Sequence, residues 1–235
     1  MLKPILSRDS LHESKDLFEL KAGHYPDNVI PIDDMEVFRT VILREHSRVD
    51  GIIFGGKIEL FPFSQAISVF GSTVRIHDNC FIGGNVQCSE KVQIGKKVEI
   101  CGDVIGGVIS IDDSSTISGN VISRDDITIG NNVVIQGYVV SHNGSIAIGD
   151  GSTVYDIIAK KDIIMGELVS IADPVILNSE GVLQFSKINI AGKKITHGKI
   201  EPIQEDHAIN LYQMASKILG GNITIPKAGT KDDTK

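Results

Sequence analysis

The sequence predicts an all-β fold, a single-stranded β-helix or solenoid, and three observations carry that reading. First, an apolar–x–apolar triplet keeps returning: Val41-Ile42-Leu43, Ile58-Glu59-Leu60, Val74-Arg75-Ile76, Val92-Gln93-Ile94, Ile109-Ser110-Ile111, Ile127-Thr128-Ile129, Ile146-Ala147-Ile148 and Ile163-Ile164-Met165. The gaps between starts are 17, 16, 18, 17, 18, 19 and 17, a mean of 17.4 over the seven intervals from Val41 to Ile163. Self-similarity at a fixed period marks a repeat architecture. Second, an apolar–x–Gly–x–apolar phrase keeps the same beat through Gly84, Gly102, Gly119 and Gly137. Third, the triplets are separated by Gly-Gly, Asp-Asp, Asn-Asn, Asn-Gly and Gly-Asp-Gly at 83–84, 112–113, 131–132, 143–144 and 149–151. These residues tolerate the left-handed backbone that turns a strand sharply. Dense β-branched residues, with Gly inside every window, argue against a helix over the same span.

Taken in order, residues 1–36 read as an N-terminal leader. A short helix is expected from Ser10 to Lys21, where Leu11, Leu17, Phe18 and Lys21 share a face. Pro26 and Pro31 then impose extended or turn geometry. Two roles stay open for the leader: packing beside the solenoid, or docking on a membrane or partner through Leu2, Ile5 and Leu6.

Residues 37–182 form the β-helix, of about eight coils. Strand side chains alternate faces, so the outer residues of each triplet point inward together, while Glu59, Arg75, Gln93, Ser110 and Thr128 face water. At ~4.8 Å per coil the stack makes a rod on the order of 40 Å long. After Val182 the beat loosens, and 183–203 reads as a final hairpin or partial coil. Asp206 is a candidate N-cap for an amphipathic C-terminal helix within 204–221. Over 207–219, Ala208, Leu211, Tyr212, Ala215, Ile218 and Leu219 share a face, and Gly220-Gly221 ends the run. Residues 222–235 have the composition of a disordered tail.

Composition fits this architecture. The chain has 235 residues, 41% hydrophobic and 23% charged, with 5% aromatic residues, no Trp and 24 Gly. That balance suits β-branched rungs with tight corners better than an aromatic-rich sandwich. A net charge of −7 argues against a nucleic-acid surface, which needs a basic stripe. The three cysteines make no CxxC pattern, and a reduced, cytoplasmic setting is the simplest expectation. The N-terminal residues do not read as a signal peptide, and no stretch approaches the ~20 apolar residues of a membrane span.

The run from Ile100 to Leu168 resembles the bactofilins, the polymer-forming cytoskeletal proteins. The resemblance lies in Ile117-Ser-Gly-Asn-Val-Ile-Ser, in Ile127-Thr-Ile-Gly-Asn-Asn-Val-Val-Ile-Gln-Gly-Tyr-Val-Val-Ser, and in Ile146-Ala-Ile-Gly-Asp-Gly-Ser-Thr-Val. It implies a compact β-helix joining end to end into filaments, without nucleotide or metal, as a scaffold often near the membrane. The match is close over roughly 70 residues and loose over about 130. The chain departs from the family in its longer leader, its long region after the last coil and its C-terminal helix. A second resemblance is to the hexapeptide-repeat proteins, whose left-handed β-helices include acyltransferases and a class of carbonic anhydrase. Its support is the spacing of six through Ile76, Ile82, Cys88, Ile94 and Ile100, which drifts thereafter.

Candidate chemistry is sparse. His46, His77 and His142 are spaced 31 and 65 residues apart, which does not line them up as zinc ligands on one rim. His142, in Ser141-His-Asn-Gly144, is the one candidate general base for an acyltransferase. Cys88 takes the place of an inward Ile, and Cys80 and Cys101 flank inward sites, which favours burial over redox or metal chemistry. Asp112-Asp113 and Asp125-Asp126 read as solvated corners without the loop of a calcium site. The glycine pairs are corners, since no GxxxxGK[ST] phosphate loop exists. No catalytic residue, cofactor or metal is therefore assigned. Phe61-Pro62-Phe63 reads as a protruding loop whose rings either pack on the coil or bind a partner.

Function then falls on the ends. If ~6 inward side chains are left uncovered at one end, the lost burial is ~9–18 kcal/mol, so an end must be capped or paired. The expected caps are the leader at one end and Leu211, Tyr212 and Ile218 of the C-terminal helix at the other. The expected function is a non-enzymatic scaffold that self-assembles into an oligomer or filament, with a trimeric hexapeptide-type acyltransferase as the alternative.

Overall fold

The structure is a computed structural model and describes residues 11–13, 17–30, 39–172, 176–178, 183–190 and 193–200. Among them are strands and turns but no helix. The chain winds as a β-solenoid with three faces, each a ladder of parallel strands.

The first face carries the triplets. It begins with Leu17–Leu20, pairs in register with Thr40–Leu43, and continues rung by rung through Ile163–Met165 to the start of Leu183–Ile190. The second face runs from Gly23–Tyr25 to Val169–Ile171 and the end of Leu183–Ile190. The third is built from the opening halves of Ile52–Leu60, Ser68–Ile76 and Val86–Ile94, and continues to Ile176–Asn178. Side chains alternate in and out, and one continuous apolar core runs along the axis from Phe18 to Ile171.

Aligning the coils on their triplets shows where the sequence is strict. From Val41 to Ile171, every coil buries the residues at its start and 2, 6 and 8 positions later: Val41, Leu43, Ser47 and Val49 in one coil, Ile127, Ile129, Val133 and Ile135 in another. Variation is confined to the corners around the third face. Between the third face and the next triplet, inward residues are three apart at Gly55 and Ile58, four at Ser123 and Ile127, and five at Ser141 and Ile146. The hexad order therefore persists beyond Ile100, and coil length changes by corner insertions.

The corner between the first and second faces has a fixed conformation. Its fifth position after the triplet start has positive φ in every coil from Val41 to Ile171: His46, Phe63, Asn79, Lys97, Ser114, Asn132, Gly151 and Leu168 lie between 54° and 68°. The left-handed turn aims that residue's N–H along the axis. In successive coils it donates to the carbonyls of Pro62, Asp78, Lys96, Asp113, Asn131, Asp150 and Glu167, at 2.8–3.3 Å. Of the glycine and asparagine corners expected to be left-handed, only Asn132 and Gly151 are.

The other Asp and Asn corners act as acceptors instead. Oδ1 of Asp78 accepts the Lys96 N–H at 2.8 Å, Asp113 that of Asn131 at 2.9 Å, Asn131 that of Asp150 at 2.8 Å and Asp150 that of Glu167 at 2.7 Å. A second such ladder runs through Asn85, Asp103 and Asn120 at the corner between the second and third faces. Each coil thereby satisfies backbone donors of the next. The Asn131 N–H, and then the Lys96 ammonium at 2.9 Å, hold the Asp113 carboxyl below its usual 3.8. A lowered folded-state pKa contributes stability above the unfolded value, which is lost as pH falls through the folded one. The advantage of the wild type over Asp113→Ala in urea midpoint should therefore hold at pH 6–7 and shrink as pH drops below about 4.

Three expectations are corrected. The helix expected over Ser10 to Lys21 is instead Leu11–Glu13 and Leu17–Leu20, an antiparallel pair. Phe18 and Leu20 are buried two residues apart, so strand alternation overrides the helical pattern. The solenoid consequently starts at Leu17, inside the segment read as leader, and Tyr25 and Val29 belong to its core. Cys80 does not flank an inward site but occupies one.

Both ends of the rod differ from its middle. Leu11–Glu13 runs antiparallel to Leu17–Leu20 at one end. At the other, Lys193–Ile200 runs antiparallel along the whole of Leu183–Ile190 and covers the edges of two faces. The candidate end cap Leu211, Tyr212 and Ile218 lies outside the described residues.

Candidate functional site

The Phe61-Pro62-Phe63 segment is the corner between the first and second faces, and stacking assembles a cluster around it. Three residues after the triplet start, successive coils place Arg44, Phe61 and His77 one above another. The Arg44 guanidinium carbon sits 4.8 Å from the centre of the Phe61 ring, a cation–π contact. On its other side the Phe61 ring stacks on His77 at 4.8 Å. Two positions further on, His46 and Phe63 stack at 5.0 Å and within 5° of parallel. Glu19 anchors Arg44 through its Nε, and Glu59 Oε1 accepts from the His77 Nε2–H at 2.8 Å.

Of the two sequence candidates, Phe61 is half-buried between its neighbours, while Phe63 is 51% exposed. Phe63 occupies the left-handed position at φ 63°. A residue other than Gly or Asn is costly there, by roughly 1–2 kcal/mol, and Asn79, Asn132 and Gly151 fill the same position in three other coils. Leu168, at φ 60°, occupies it near the other end of the rod and is 64% exposed. Phe63 and Leu168 are the two most exposed large apolar side chains among the described residues. They lie six coils apart on one ridge, about 29 Å at the usual rung spacing.

The other candidates scatter. His46 and His77 lie on this ridge, whereas His142 is exposed at the corner between the third and first faces. Cys80 and Cys88 are buried and Cys101 is exposed. Burial pushes the Cys80 thiol up to about 11 and raises Cys88 as well, so both stay protonated near neutrality. Asp50, at the corner between the second and third faces, is held low by Arg48 and then by His24, each 2.6 Å away.

Arg44, His46, His77 and Leu168 went unnoticed in the sequence as ridge residues. The signal was present: numbering each coil from its triplet puts Arg44, Phe61 and His77 in one column and Phe63 and Leu168 in another.

The architecture defines the protein as a parallel β-solenoid. Compared with protein-family models, with curated proteins and with solved structures, the chain has no match.

Proposed function

We propose that the protein is a non-enzymatic scaffold, of the bactofilin type, whose rods self-associate through the ridge carrying Phe63 and Leu168. The observation that carries this reading is the double cost at those two positions. Each holds a large apolar side chain in water, and each holds it on backbone that favours glycine or asparagine. Strain kept at an exposed position points to use. The uninterrupted ladders supply the stiffness a scaffold needs, and the free thiols in the core suit a reducing, cytoplasmic setting. Partners are other copies of the chain, with a membrane or protein partner available to the terminal segments, and nucleic acid is not among them.

Sedimentation across concentrations up to ~1 mg/mL, beside negative-stain images, tests the reading. The wild type should gain mass with concentration and form filaments or defined oligomers. The Phe63→Asn, Leu168→Asn double variant should stay monomeric, yet be as stable or more so, because relieving each strained residue returns up to about 1 kcal/mol. A wild type that remains monomeric throughout would overturn the scaffold. A variant that still assembles would remove the ridge.

One observation favours a second reading, a hexapeptide-type transferase. Inward residues follow strict sixes through whole coils, as at Val74, Cys80, Val86 and Val92 and at Ile109, Ser115, Val121 and Ile127. His142, at the longest corner, is its candidate base. Binding of an acyl-CoA, with turnover reduced 10²-fold or more by His142→Ala, is the result it requires.

A further inference from the structure

The outward positions of the three faces differ in kind. On the first face Glu59, Arg75, Gln93, Ser110 and Thr128 make an unbroken polar run between Ile42 at one end and Ala147 and Ile164 at the other, and on the second Gln65, Glu99, Thr116 and Thr153 interrupt Phe81 and Val134. On the third face Ile105, Ile122, Val140 and Ile158 stand in register on successive rungs, each half-buried. Leu177 continues that register at the C-terminal end, and Gln87 interrupts it at the other. A solvated face of a sheet ordinarily reads as polar. From Ile105 to Ile158 this one is an apolar stripe three rung steps long, about 14 Å at 4.8 Å per step.

We infer that the C-terminal segment of the same chain, residues 207–219, docks along this stripe as a helix running back toward the N-terminal end. Three observations select that occupant. The first is where the chain leaves the solenoid. Ile200 pairs with Leu183, which pairs with Ile163, so the segment departs from the first face beside the corner leading to the third. The second is length. Residues 201–206 can span up to about 20 Å, enough to round that corner, and thirteen helical residues measure about 20 Å, enough to cover the stripe from end to end. The third is chemistry. The apolar face of 207–219, built from Ala208, Leu211, Tyr212, Ala215, Ile218 and Leu219, suits an apolar groove. A helix this short is marginal alone in water and needs a surface to form on. Its linker carries Glu201, Glu205 and Asp206, while the corner it must pass presents Lys160 and Lys161 with Asp162 beside them. The segment is thereby a lateral strap rather than an end cap, while Lys193–Ile200 pairs along the edges of the first and second faces at that end.

Cross-linking in the full chain tests this. In a Cys101→Ser background, Val140→Cys and Ala215→Cys are combined, and the protein is oxidised as an equal mixture of ¹⁵N-labelled and unlabelled chains. A disulfide within single chains is expected. A disulfide joining labelled to unlabelled chains would mean that a second copy occupies the stripe, and it would overturn the inference, as would the absence of any link. Amide exchange supplies the second measurement. Residues 207–219 should be protected at least about tenfold beyond an isolated helix. Val140→Lys, an outward change that leaves the core intact, should abolish that protection, and Gln87→Lys should not. Equal protection with and without Val140→Lys would reject the strap. Association through the Phe63 ridge is read separately by sedimentation, so each idea can fail alone.

Discussion

Gly119→Ala is expected to lower the unfolding free energy by about 3 kcal/mol, whereas Gly83→Ala should change it by less than about 0.5 kcal/mol. A Cβ on Gly119 would lie 2.5 Å from the Gly102 carbonyl carbon and oxygen and 2.5 Å from Asp103 Oδ1. Ordinary contacts of this kind begin near 3.4 Å. The obstacle is backbone, and Gly84, Gly102, Gly119 and Gly137 stack on one another at this corner, so no coil can give way without displacing the next. Overpacking costs about 1–3 kcal/mol. The Asn120 N–H to Asp103 hydrogen bond, 2.7 Å long, is strained in the same movement and adds about 1 kcal/mol. Gly83 differs although it adjoins Gly84. A Cβ there would meet only the Phe81 and Ile67 side chains, at 3.6 and 3.7 Å, and its φ is not positive. Urea melts of the two variants decide the matter, and equal effects would show that the stacking of glycines does not set the coil spacing.

That pair of glycines also shows what the sequence does and does not display. The period of the triplets is printed in Ile, Val and Leu, because a core that repeats must repeat its volume, and the three-faced rod follows from it. The reason for each glycine is not printed. Gly83 and Gly84 look alike until the register sets Gly84 against the Ile67 carbonyl and the Ser68 hydroxyl. The left-handed corner was similarly hidden, since His46, Phe63, Lys97 and Leu168 lack the Gly or Asn signature. There the fixed corner and its interstrand hydrogen bond override local preference, which is a tertiary effect. Phe61 and Phe63 were visible as an odd cluster of aromatics in a chain with few. Their companions Arg44, His46 and His77 come from neighbouring coils and are found only by aligning coils. The apolar stripe on the third face was masked because the corners flanking that face vary in length and blur its period.

Ile135→Asp is expected to abolish the folded rod near neutral pH. Ile135 is 1% exposed, with Ile117 on the adjacent rung of the same column. Losing the side chain's burial costs about 1.5–3 kcal/mol. An unpaired carboxylate in that place costs several kcal/mol more, and the group responds by raising its pKa. The sum reaches the 5–15 kcal/mol by which a typical domain is stable. Ile135→Asn separates charge from polarity. A raised folded-state pKa means the penalty of the ionised form is absent below the unfolded value near 3.9 and grows as pH rises through it. The two variants should therefore converge in stability toward pH 4 and diverge at pH 7. Position along the rod matters as well, because each coil contacts only its neighbours and a terminal coil has one. Leu20→Asp, equally buried but in the first coil, should fray that end and leave a cooperative transition for the remainder. Amide exchange distinguishes the outcomes: protection lost throughout for Ile135→Asp, and lost only before about Leu60 for Leu20→Asp. If Ile135→Asp retained full protection in the coils on either side, the core would not be the continuous column that makes this chain a rod.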